Sequence, residues 1–146
     1  MRPVVNHVGQ ATADLGRAVA FYTELLGFAV ERRLDVPDAA ADALLGIEPP
    51  VGLEAVYLRR GPFVLELMQF HRPDNPPWSG RVFNEPGLTH LSVSVEDLDA
   101  ALDRVETLGG RIVRRLPEAA AIVRDPDGQL LELLPMEYRR QLEPQD

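Results

Sequence analysis

The chain has 146 residues, contains no cysteine and carries a formal net charge of −8. Such a length suits one ordinary domain or two small modules that share a core. The lack of cysteine excludes disulfides, iron–sulfur clusters and thiolate zinc sites, and the acidic balance argues against nucleic-acid binding, which needs a basic face. The N-terminal sequence lacks the apolar run of a signal peptide, and no stretch approaches the ~20 apolar residues of a membrane span. We therefore expect a cytoplasmic protein with no membrane partner.

The segment 4–70 begins with alternating valines and continues with apolar residues at helical spacing. Leu15 and Val19 start that series, which predicts an amphipathic helix capped by Thr12 or Asp14. The predicted elements in chain order are a strand at Val4–Ala11, a helix ending at Gly27, a strand at Phe28–Leu34, a short helix within Pro37–Gly46, and strands at Leu53–Arg60 and Phe63–Phe70. The first module is therefore a strand, a helix and three more strands.

The segment 71–87 is rich in proline and predicts a linker without regular structure. Beyond it, Leu98 and Leu102 begin a second helical series, and Asp125–Gly128 predicts a proline–glycine turn. The predicted elements of this part are a strand from Leu88, a helix from about Glu96 to Leu108, and strands at Arg111–Leu116, Ala119–Arg124 and Gln129–Pro135. The segment from Glu137 to Asp146 predicts a loosely ordered polar tail.

Two long stretches of the chain resemble each other. HVGQATADLGRAVAFYTELLGFAVERRL begins at His7 and aligns, with one residue dropped near Leu26, with HLSVSVEDLDAALDRVETLGGRIVRRL, which begins at His90. A repeat of this length indicates two similar modules, here 4–70 and 88–135, within a single domain. In each module we expect the first and last strands to be neighbours, because both carry a polar residue among apolar ones.

Each module has one histidine at the start of its first strand and one glutamate in its last strand. These residues are His7 and Glu66 in the first module and His90 and Glu132 in the second. Taken singly, such a histidine is more often a hydrogen-bonded core residue, and a glutamate between leucines can point to solvent while the leucines point inward. Their equivalent places in both modules instead favour one shared site.

A pseudo-twofold arrangement would bring these four side chains together and place two carboxylates close to each other. Buried carboxylates repel each other and are costly to ionise, and a divalent cation removes that cost. Two imidazoles and two carboxylates without sulfur suit a borderline or hard metal with open water positions, and open positions favour catalysis. The pattern therefore predicts a divalent-metal site made of His7, Glu66, His90 and Glu132.

Three stretches carry a resemblance to a known family: HVGQATADLGRAVAFYTELLGF, GLTHLSVSVEDLDAALDRVETLGG and RDPDGQLLELLP. Over about Val4 to Pro135 the chain resembles the vicinal oxygen chelate superfamily. This superfamily includes lactoylglutathione lyase (glyoxalase), methylmalonyl-CoA epimerase, extradiol dioxygenases, fosfomycin-modifying enzymes and bleomycin-binding proteins. The resemblance implies an α+β fold of two βαβββ modules that form an open, cup-shaped mixed β-sheet barrel around a metal, with ligands on the first and last strands of each module.

The His-Glu-His-Glu set resembles that of bacterial lactoylglutathione lyases. By this resemblance a nickel, cobalt, zinc, manganese or iron ion would chelate two vicinal oxygens of a small-molecule substrate, and a glutamate would move a proton through an enediolate or enolate. Glu132 is the first candidate for that base and Glu66 the second. Glu54 is a candidate partner acid, as in some epimerases, or a solvent-facing residue. The aromatic residues that could line the pocket mouth, or belong to the core, are Tyr57, Phe70, Trp78 and Phe83.

Three classes of function are compatible with these residues. The first is a metal-dependent isomerase, epimerase or lyase, and the second is a binding protein that sequesters a flat natural product, as in antibiotic resistance. The third is an iron(II) extradiol-type dioxygenase, for which only His71 is left as a further acid–base histidine. The family also implies a homodimer, because open cupped sheets leave apolar edges.

Overall fold

Within residues 2–142, which the computed structural model describes, the chain forms two mixed β-sheets, each with helices. Each sheet belongs to its own unit: unit 1 ends at Pro77 and unit 2 begins at Trp78. This boundary falls inside the proline-rich segment predicted to be a linker. The predicted α+β fold with two βαβββ modules is confirmed.

Unit 1 follows the predicted order of elements. They are β1 (Val8–Ala11), α1 (Leu15–Ala20) with a π-helical turn directly after it (Phe21–Leu25), β2 (Ala29–Val36), α2 (Asp38–Leu45), β3 (Leu53–Arg60) and β4 (Phe63–Phe70). The sheet order is β1-β4-β3-β2, and β1 runs parallel to β4. The first strand begins at Val8 instead of Val4, because its ladder with β4 starts at the pair Val8–Leu65.

Unit 2 repeats this arrangement. Its elements are β5 (His90–Val95), α3 (Leu98–Val105), β6 (Arg111–Leu116), β7 (Ala120–Arg124), β8 (Leu130–Pro135) and α4 (Met136–Leu142). The sheet order is β5-β8-β7-β6, and β5 runs parallel to β8. The first and last strands of each module are therefore neighbours, as predicted.

The segment from Glu137 to Asp146 was predicted to be a loosely ordered tail, and this prediction is wrong over residues 137–142. Met136–Leu142 forms the helix α4, which lies against β5 and β8. Contacts with the sheet supply the order that the polar composition of this segment did not suggest. The remainder of the predicted tail, residues 143–146, lies outside the described residues.

The repeat extends to an irregularity in the sheets. The pairing of β2 with β3 shifts between Val30 and Arg32, and the pairing of β6 with β7 shifts between Ile112 and Arg114. The sequence alignment places Arg32 on Arg114, so the two β-bulges are equivalent. A bulge bends its strand and increases the local twist, and both sheets therefore bend at the same place.

The first helix of each unit begins at an aspartate. The Asp14 carboxylate accepts the backbone N–H of Arg17 at 2.9 Å, and Asp97 accepts that of Ala100 at 2.9 Å. Each cap satisfies one of the amide groups that lack a partner inside the helix. Of the two predicted caps for the first helix, Asp14 is the N-cap residue.

In unit 1, α1 covers one face of the sheet. Leu65 and Leu67 of β4 are fully buried together with Tyr22 of the π-helical turn. Each such leucine contributes about 1.5–3 kcal/mol by leaving water. Because side chains alternate along a strand, Glu66 between these leucines projects from the opposite face.

The core of unit 2 has the same construction. Leu102 and Val105 of α3 are buried, as are Leu131 and Leu133 of β8. The same alternation places Glu132 on the face away from α3. The leucines that flank each glutamate thus belong to the core, while the glutamates occupy the other face of their sheets.

Unit 1 has a hydrophobic cluster between α2 and the sheet. Ala41 of α2 packs with Leu53, and Met68 and Phe70 lie against them. Met68 and Phe70 alternate in step with Glu66, so α2 covers the far end of the face that carries this glutamate. Phe70 is therefore a core residue of unit 1.

Among residues 2–142, no helix is long and apolar enough to span a membrane.

Candidate functional site

The first histidine–glutamate pair lies where β1 and β4 run side by side. Gly9 is the partner of Glu66 in the ladder, and His7 lies two residues before Gly9, on the same face. The His7 Nε2 atom is 3.0 Å from Glu66 Oε2. The parallel pairing of the first and last strands thus brings together two residues that are far apart in sequence.

The second pair has the same origin in unit 2. Ser92 of β5 is the partner of Glu132 in β8, and His90 lies two residues before Ser92. The His90 Nε2 atom is 3.8 Å from Glu132 Oε2. The same register between the first and last strands therefore places a histidine beside a glutamate in each unit.

In unit 1 the pair is held by a tyrosine. The Tyr57 hydroxyl donates a 2.6 Å hydrogen bond to Glu66 Oε1, and its ring meets the His7 ring edge-on at 5.5 Å. This hydrogen bond, with burial and the nearby negative charge, raises the pKa of Tyr57 to about 12. Tyr57 therefore stays protonated at neutral pH and remains a donor to the carboxylate.

In unit 2 the pair is held by two short hydroxyl side chains. Ser92 Oγ donates to Glu132 Oε2 at 2.8 Å, and Thr89 Oγ1 is 2.8 Å from His90 Nδ1. Phe83, from the proline-rich segment, meets the His90 ring at 5.2 Å. A hydrogen bond at Nδ1 orients the imidazole and leaves Nε2 directed toward the carboxylate.

A glycine explains why the two glutamates have different donors. Gly9 stands opposite Glu66, where Ser92 stands opposite Glu132. A Cβ atom at Gly9 would lie 3.2 Å from Met68 Cε and 3.6 Å from Glu66 Oε2, so a serine there would be crowded. The hydroxyl that reaches the glutamate in unit 1 comes from β3 instead.

The structure does not place Glu54 beside the His7–Glu66 pair. Glu54 is the ladder partner of Gln69, which accepts the backbone N–H of Leu15 at 2.7 Å and therefore faces α1. Glu54 consequently lies on the opposite face of the sheet from Glu66. Its carboxylate Oε2 is 3.1 Å from His71 Nε2, and both side chains are exposed to solvent.

The four candidate aromatic residues separate into different environments. Tyr57 and Phe83 contact the two histidines, whereas Phe70 belongs to the cluster under α2. Trp78 lies in unit 2 with its ring centroid 4.5 Å from the guanidinium carbon of Arg124, a cation–π contact. Only two of the four therefore adjoin the histidine–glutamate pairs.

Sequence reasoning missed the residues that hold the pairs in place. Thr89 and Ser92 flank His90 closely in sequence, and a search for hydroxyl groups beside the candidate ligands would have found them. Tyr57 was considered as a residue of the pocket mouth or of the core. Its bond to Glu66 depends on the cross-strand register of β3 and β4, which the sequence does not display.

The donor atoms of each pair suit a divalent metal. Each unit presents an imidazole nitrogen and a carboxylate oxygen that converge, without sulfur, as borderline and hard cations prefer. Among the described residues, no group of three or more His, Asp or Glu side chains gathers in a way that could hold a metal ion. Each unit by itself therefore offers two possible metal ligands, one imidazole nitrogen and one carboxylate oxygen.

Residues 4–133 match the family model described as the Glyoxalase/Bleomycin resistance protein/Dioxygenase superfamily. The match includes both modules and all four residues of the two pairs. A solved structure of the trypanothione-dependent glyoxalase I from Leishmania major resembles the chain with a TM-score of 0.68 and 26% sequence identity. The superposition covers 92% of this chain and 88% of that one.

Two relatives have names that denote different reactions. A 2-epi-5-epi-valiolone epimerase from Actinomyces sp is 33% identical over 125 residues, which cover 78% of this chain and 63% of the relative. A putative lactoylglutathione lyase from Brassica oleracea var. gemmifera is 29% identical over 135 residues, which cover 88% of this chain and 43% of the relative. The chain thus spans less than two thirds of the length of either relative.

Proposed function

Because the chain belongs to the Glyoxalase/Bleomycin resistance protein/Dioxygenase superfamily, we propose that it is a divalent-metal-dependent enzyme acting on a small molecule with two vicinal oxygens. Its reaction would move a proton on the substrate, as an isomerase, an epimerase or a lyase does. The names of the two relatives, one an epimerase and one a lyase, support this class of reaction.

The observation that carries the proposal is the repetition of the histidine–glutamate pair. His7 and Glu66 in unit 1, and His90 and Glu132 in unit 2, occupy equivalent positions in equivalent parallel ladders. If the glutamates only faced solvent, or the histidines were only core residues, nothing would require a histidine beside a glutamate at the same register in both units. We propose that both pairs together ligate one metal ion.

The chemistry of the donors supports this assignment. Two neutral imidazoles and two carboxylates balance the charge of a divalent cation and suit nickel, cobalt, zinc, manganese or iron. In unit 2 the hydrogen bond between Thr89 and His90 Nδ1 leaves the other ring nitrogen available as a ligand. When bound, such a cation polarises the substrate oxygens and makes a neighbouring C–H bond more acidic.

The protein's own part in the reaction is to take and return a proton. Glu132 would accept the proton from the substrate carbon, while the electron pair of the broken C–H bond delocalises onto the adjacent oxygen. The carboxylic acid formed at Glu132 would then return the proton to carbon. Ser92 orients this carboxylate through Oε2 and leaves Oε1 for the transfer.

Titration of metal-free protein with Co²⁺ tests the proposal. We expect one ion per chain in the wild type and loss of binding in both His7→Ala and His90→Ala. His71→Ala is the matched control, since this histidine pairs with Glu54 on the other face of the sheet and should bind metal as the wild type does.

The other outcomes separate the competing functions. Two ions per chain, with each histidine variant losing one, would show that the units bind metal independently. A folded protein that takes up no metal under any loading condition would favour a binding protein of the antibiotic-resistance type. Oxygen consumption with catechols and iron(II) would favour a dioxygenase, although the additional histidine considered for that reaction, His71, pairs with Glu54.

A homodimer is part of the same proposal. The edge strand β1 is preceded by Val4 and Val5, whose side chains are highly exposed in the chain by itself. Exposed apolar side chains beside a sheet edge favour association with another chain. Sedimentation velocity of the purified protein should give a dimer, and a monomer at all accessible concentrations would contradict this expectation.

A further inference from the structure

The two glutamates have equivalent positions but different surroundings, and from this difference we infer a role for Tyr57. Tyr57 is a positioning residue that fixes Glu66 as a static ligand, so that proton transfer is left to Glu132. This inference rests on the proposed function and specifies which half of the repeated site does the chemistry. The two glutamates occupy equivalent places in the repeat, but the residues opposite them differ.

Glu66 is held at both carboxylate oxygens. Oε1 accepts the Tyr57 hydroxyl at 2.6 Å, and Oε2 lies 3.0 Å from His7 Nε2. The Glu66 side chain is only 14% exposed. Rotation of this largely buried carboxylate toward a substrate carbon would break the short hydrogen bond from Tyr57.

Glu132 is held at one oxygen only. Oε2 accepts the Ser92 hydroxyl at 2.8 Å and lies 3.8 Å from His90 Nε2. From the residues that the structure describes, no hydrogen bond reaches Oε1, and the side chain is 32% exposed. This carboxylate can turn toward a substrate while it keeps its contact with Ser92.

The difference is built into the register of the sheets. Tyr57 is the ladder partner of Glu66, and Ile122 is the ladder partner of Glu132. Isoleucine has no hydrogen-bond donor, so the strand next to Glu132 cannot hold it as β3 holds Glu66. The substitution between the two copies of the repeat thus makes one glutamate rigid and leaves the other mobile.

Tyr57 also stabilises the histidine of its pair. Its ring meets His7 edge-on at 5.5 Å with an interplanar angle of 88°. A single side chain therefore contacts both members of the first pair. Replacement by phenylalanine keeps the ring contact and removes only the hydrogen bond to Glu66, which makes Tyr57→Phe the informative variant.

Binding of Co²⁺ alone is the first test. Outer hydrogen bonds to metal ligands typically change metal affinity by about 10–100-fold, and we expect Tyr57→Phe to weaken Co²⁺ binding by such a factor. Tyr138→Phe is the matched control, because this tyrosine lies on α4 and is exposed. Circular dichroism should show that both variants fold as the wild type does.

Recovery of activity is the second test, and a purely structural role for Tyr57 would not produce it. If Tyr57 keeps Glu66 from acting as a base, the double variant Tyr57→Phe/Glu132→Gln should exchange a substrate C–H proton with D₂O faster than Glu132→Gln alone. Lactoylglutathione and 2-epi-5-epi-valiolone, the compounds in the names of relatives, are the probes. NMR of the recovered probe measures the exchange.

The experiments distinguish a failure of the proposed metal function from a failure of the role of Tyr57. Wild-type protein that binds no Co²⁺ would overturn the metal function and the role of Tyr57 together. Normal Co²⁺ binding by the wild type with unchanged affinity in Tyr57→Phe would overturn only the role of Tyr57. Equal exchange by the double variant and by Glu132→Gln would likewise overturn it and leave the metal function standing.

Discussion

In unit 1, the glutamate of the histidine–glutamate pair is mostly buried and held by a tyrosine from the neighbouring strand. In unit 2, the equivalent glutamate is more exposed, lies farther from its histidine and is held by a serine of the parallel strand. The strands, the register and the β-bulge are shared. At these pairs, the units therefore differ in the groups that surround the glutamate.

This comparison separates two demands on a repeated site. Placing a histidine beside a glutamate requires only parallel pairing of the first and last strands, and both copies of the repeat retain it. Whether the glutamate is held in place depends on a hydrogen-bond donor from a different strand. A duplicated fold can therefore keep the same two residues in both halves and still surround them differently, with Tyr57 as the donor to Glu66 and Ser92 as the donor to Glu132.

The largest expected effect is a difference in proton exchange between variants of the two glutamates. Glu132→Gln should slow proton exchange of a substrate by about 10²–10⁴-fold, the range typical of a lost general base. Glu66→Gln should slow it less at equal Co²⁺ loading, because Glu66 serves as a ligand. The measurement is deuterium incorporation from D₂O into lactoylglutathione or 2-epi-5-epi-valiolone.

Two results would contradict this assignment. Equal losses in the two variants would mean that both glutamates share the transfer. Unchanged exchange in Glu132→Gln would exclude it as the base, whatever its part in binding the metal.

The next effect is a loss of stability in the hydrophobic cores beneath the two glutamates. Leu65 and Leu131 are fully buried neighbours of Glu66 and Glu132 at equivalent positions. Each substitution to alanine should lower the free energy of unfolding by about 2–5 kcal/mol, through lost burial and the cavity left behind. Urea denaturation followed by circular dichroism measures both losses.

Leu44→Ala serves as the control for these cores, since this side chain is 83% exposed and its loss should change stability little. A large loss in one unit and none in the other would show that the two cores are less alike than their sequences.

A pH titration tests the hydrogen bond between Tyr57 and Glu66, which is specific to unit 1. Its pKa is raised to about 12 mainly by the hydrogen bond to Glu66, while an unfolded chain titrates near 10. Because the folded-state pKa is higher, this bond stabilises the fold fully below pH ~10, and the contribution is lost as pH rises toward about 12.

Glu66→Gln should therefore move the ionisation of Tyr57 in metal-free protein back toward its ordinary value. Ultraviolet absorbance of tyrosinate in the wild type and the variant measures the shift, and Tyr57→Phe identifies the signal. Glu132→Gln is the matched control from the other unit and should leave the titration unchanged. An unshifted Tyr57 in Glu66→Gln would show that the hydrogen bond is not the main cause.

The smallest effect concerns the helix caps, where the units are most alike. Asp14→Ala and Asp97→Ala each remove one side-chain acceptor from a helix N-terminus, and each should cost about 1 kcal/mol of stability. The asparagine variants, which keep an acceptor oxygen, should lose less. Thermal denaturation measures the series, and a markedly larger loss at one cap would show that the aspartate there has a second role.

Much of the fold was predictable because the signals are local. The bounds of β3 and β4 agree with the prediction, since a Gly61–Pro62 turn separates two apolar runs. The aspartate cap and Gly27 delimit the first helix in the same way. The prediction failed for α4, because contacts with β5 and β8 order a polar segment whose composition alone predicts a tail.

The candidate residues and the strands that carry them were predictable from the repeat. The prediction was one site made of all four residues, and the structure shows His7 beside Glu66 in unit 1 and His90 beside Glu132 in unit 2. The joint metal centre of all four residues remains a prediction that metal titration can test. Glu54 shows the limit, since it was a candidate acid by resemblance to some epimerases, and the register of β3 with β4 places it on the opposite face from Glu66.

The sequence by itself determined the two modules, the strands that carry the pairs and the residues in them, because repeats and side-chain alternation are properties of the chain. The tertiary structure alone decided which groups surround each pair. Whether Tyr57 or Ile122 stands beside a glutamate depends on the register between strands, and a shift of one residue would move every side chain to the other face. That register, set by the packing of each sheet, places a hydroxyl donor opposite Glu66 and an aliphatic side chain opposite Glu132.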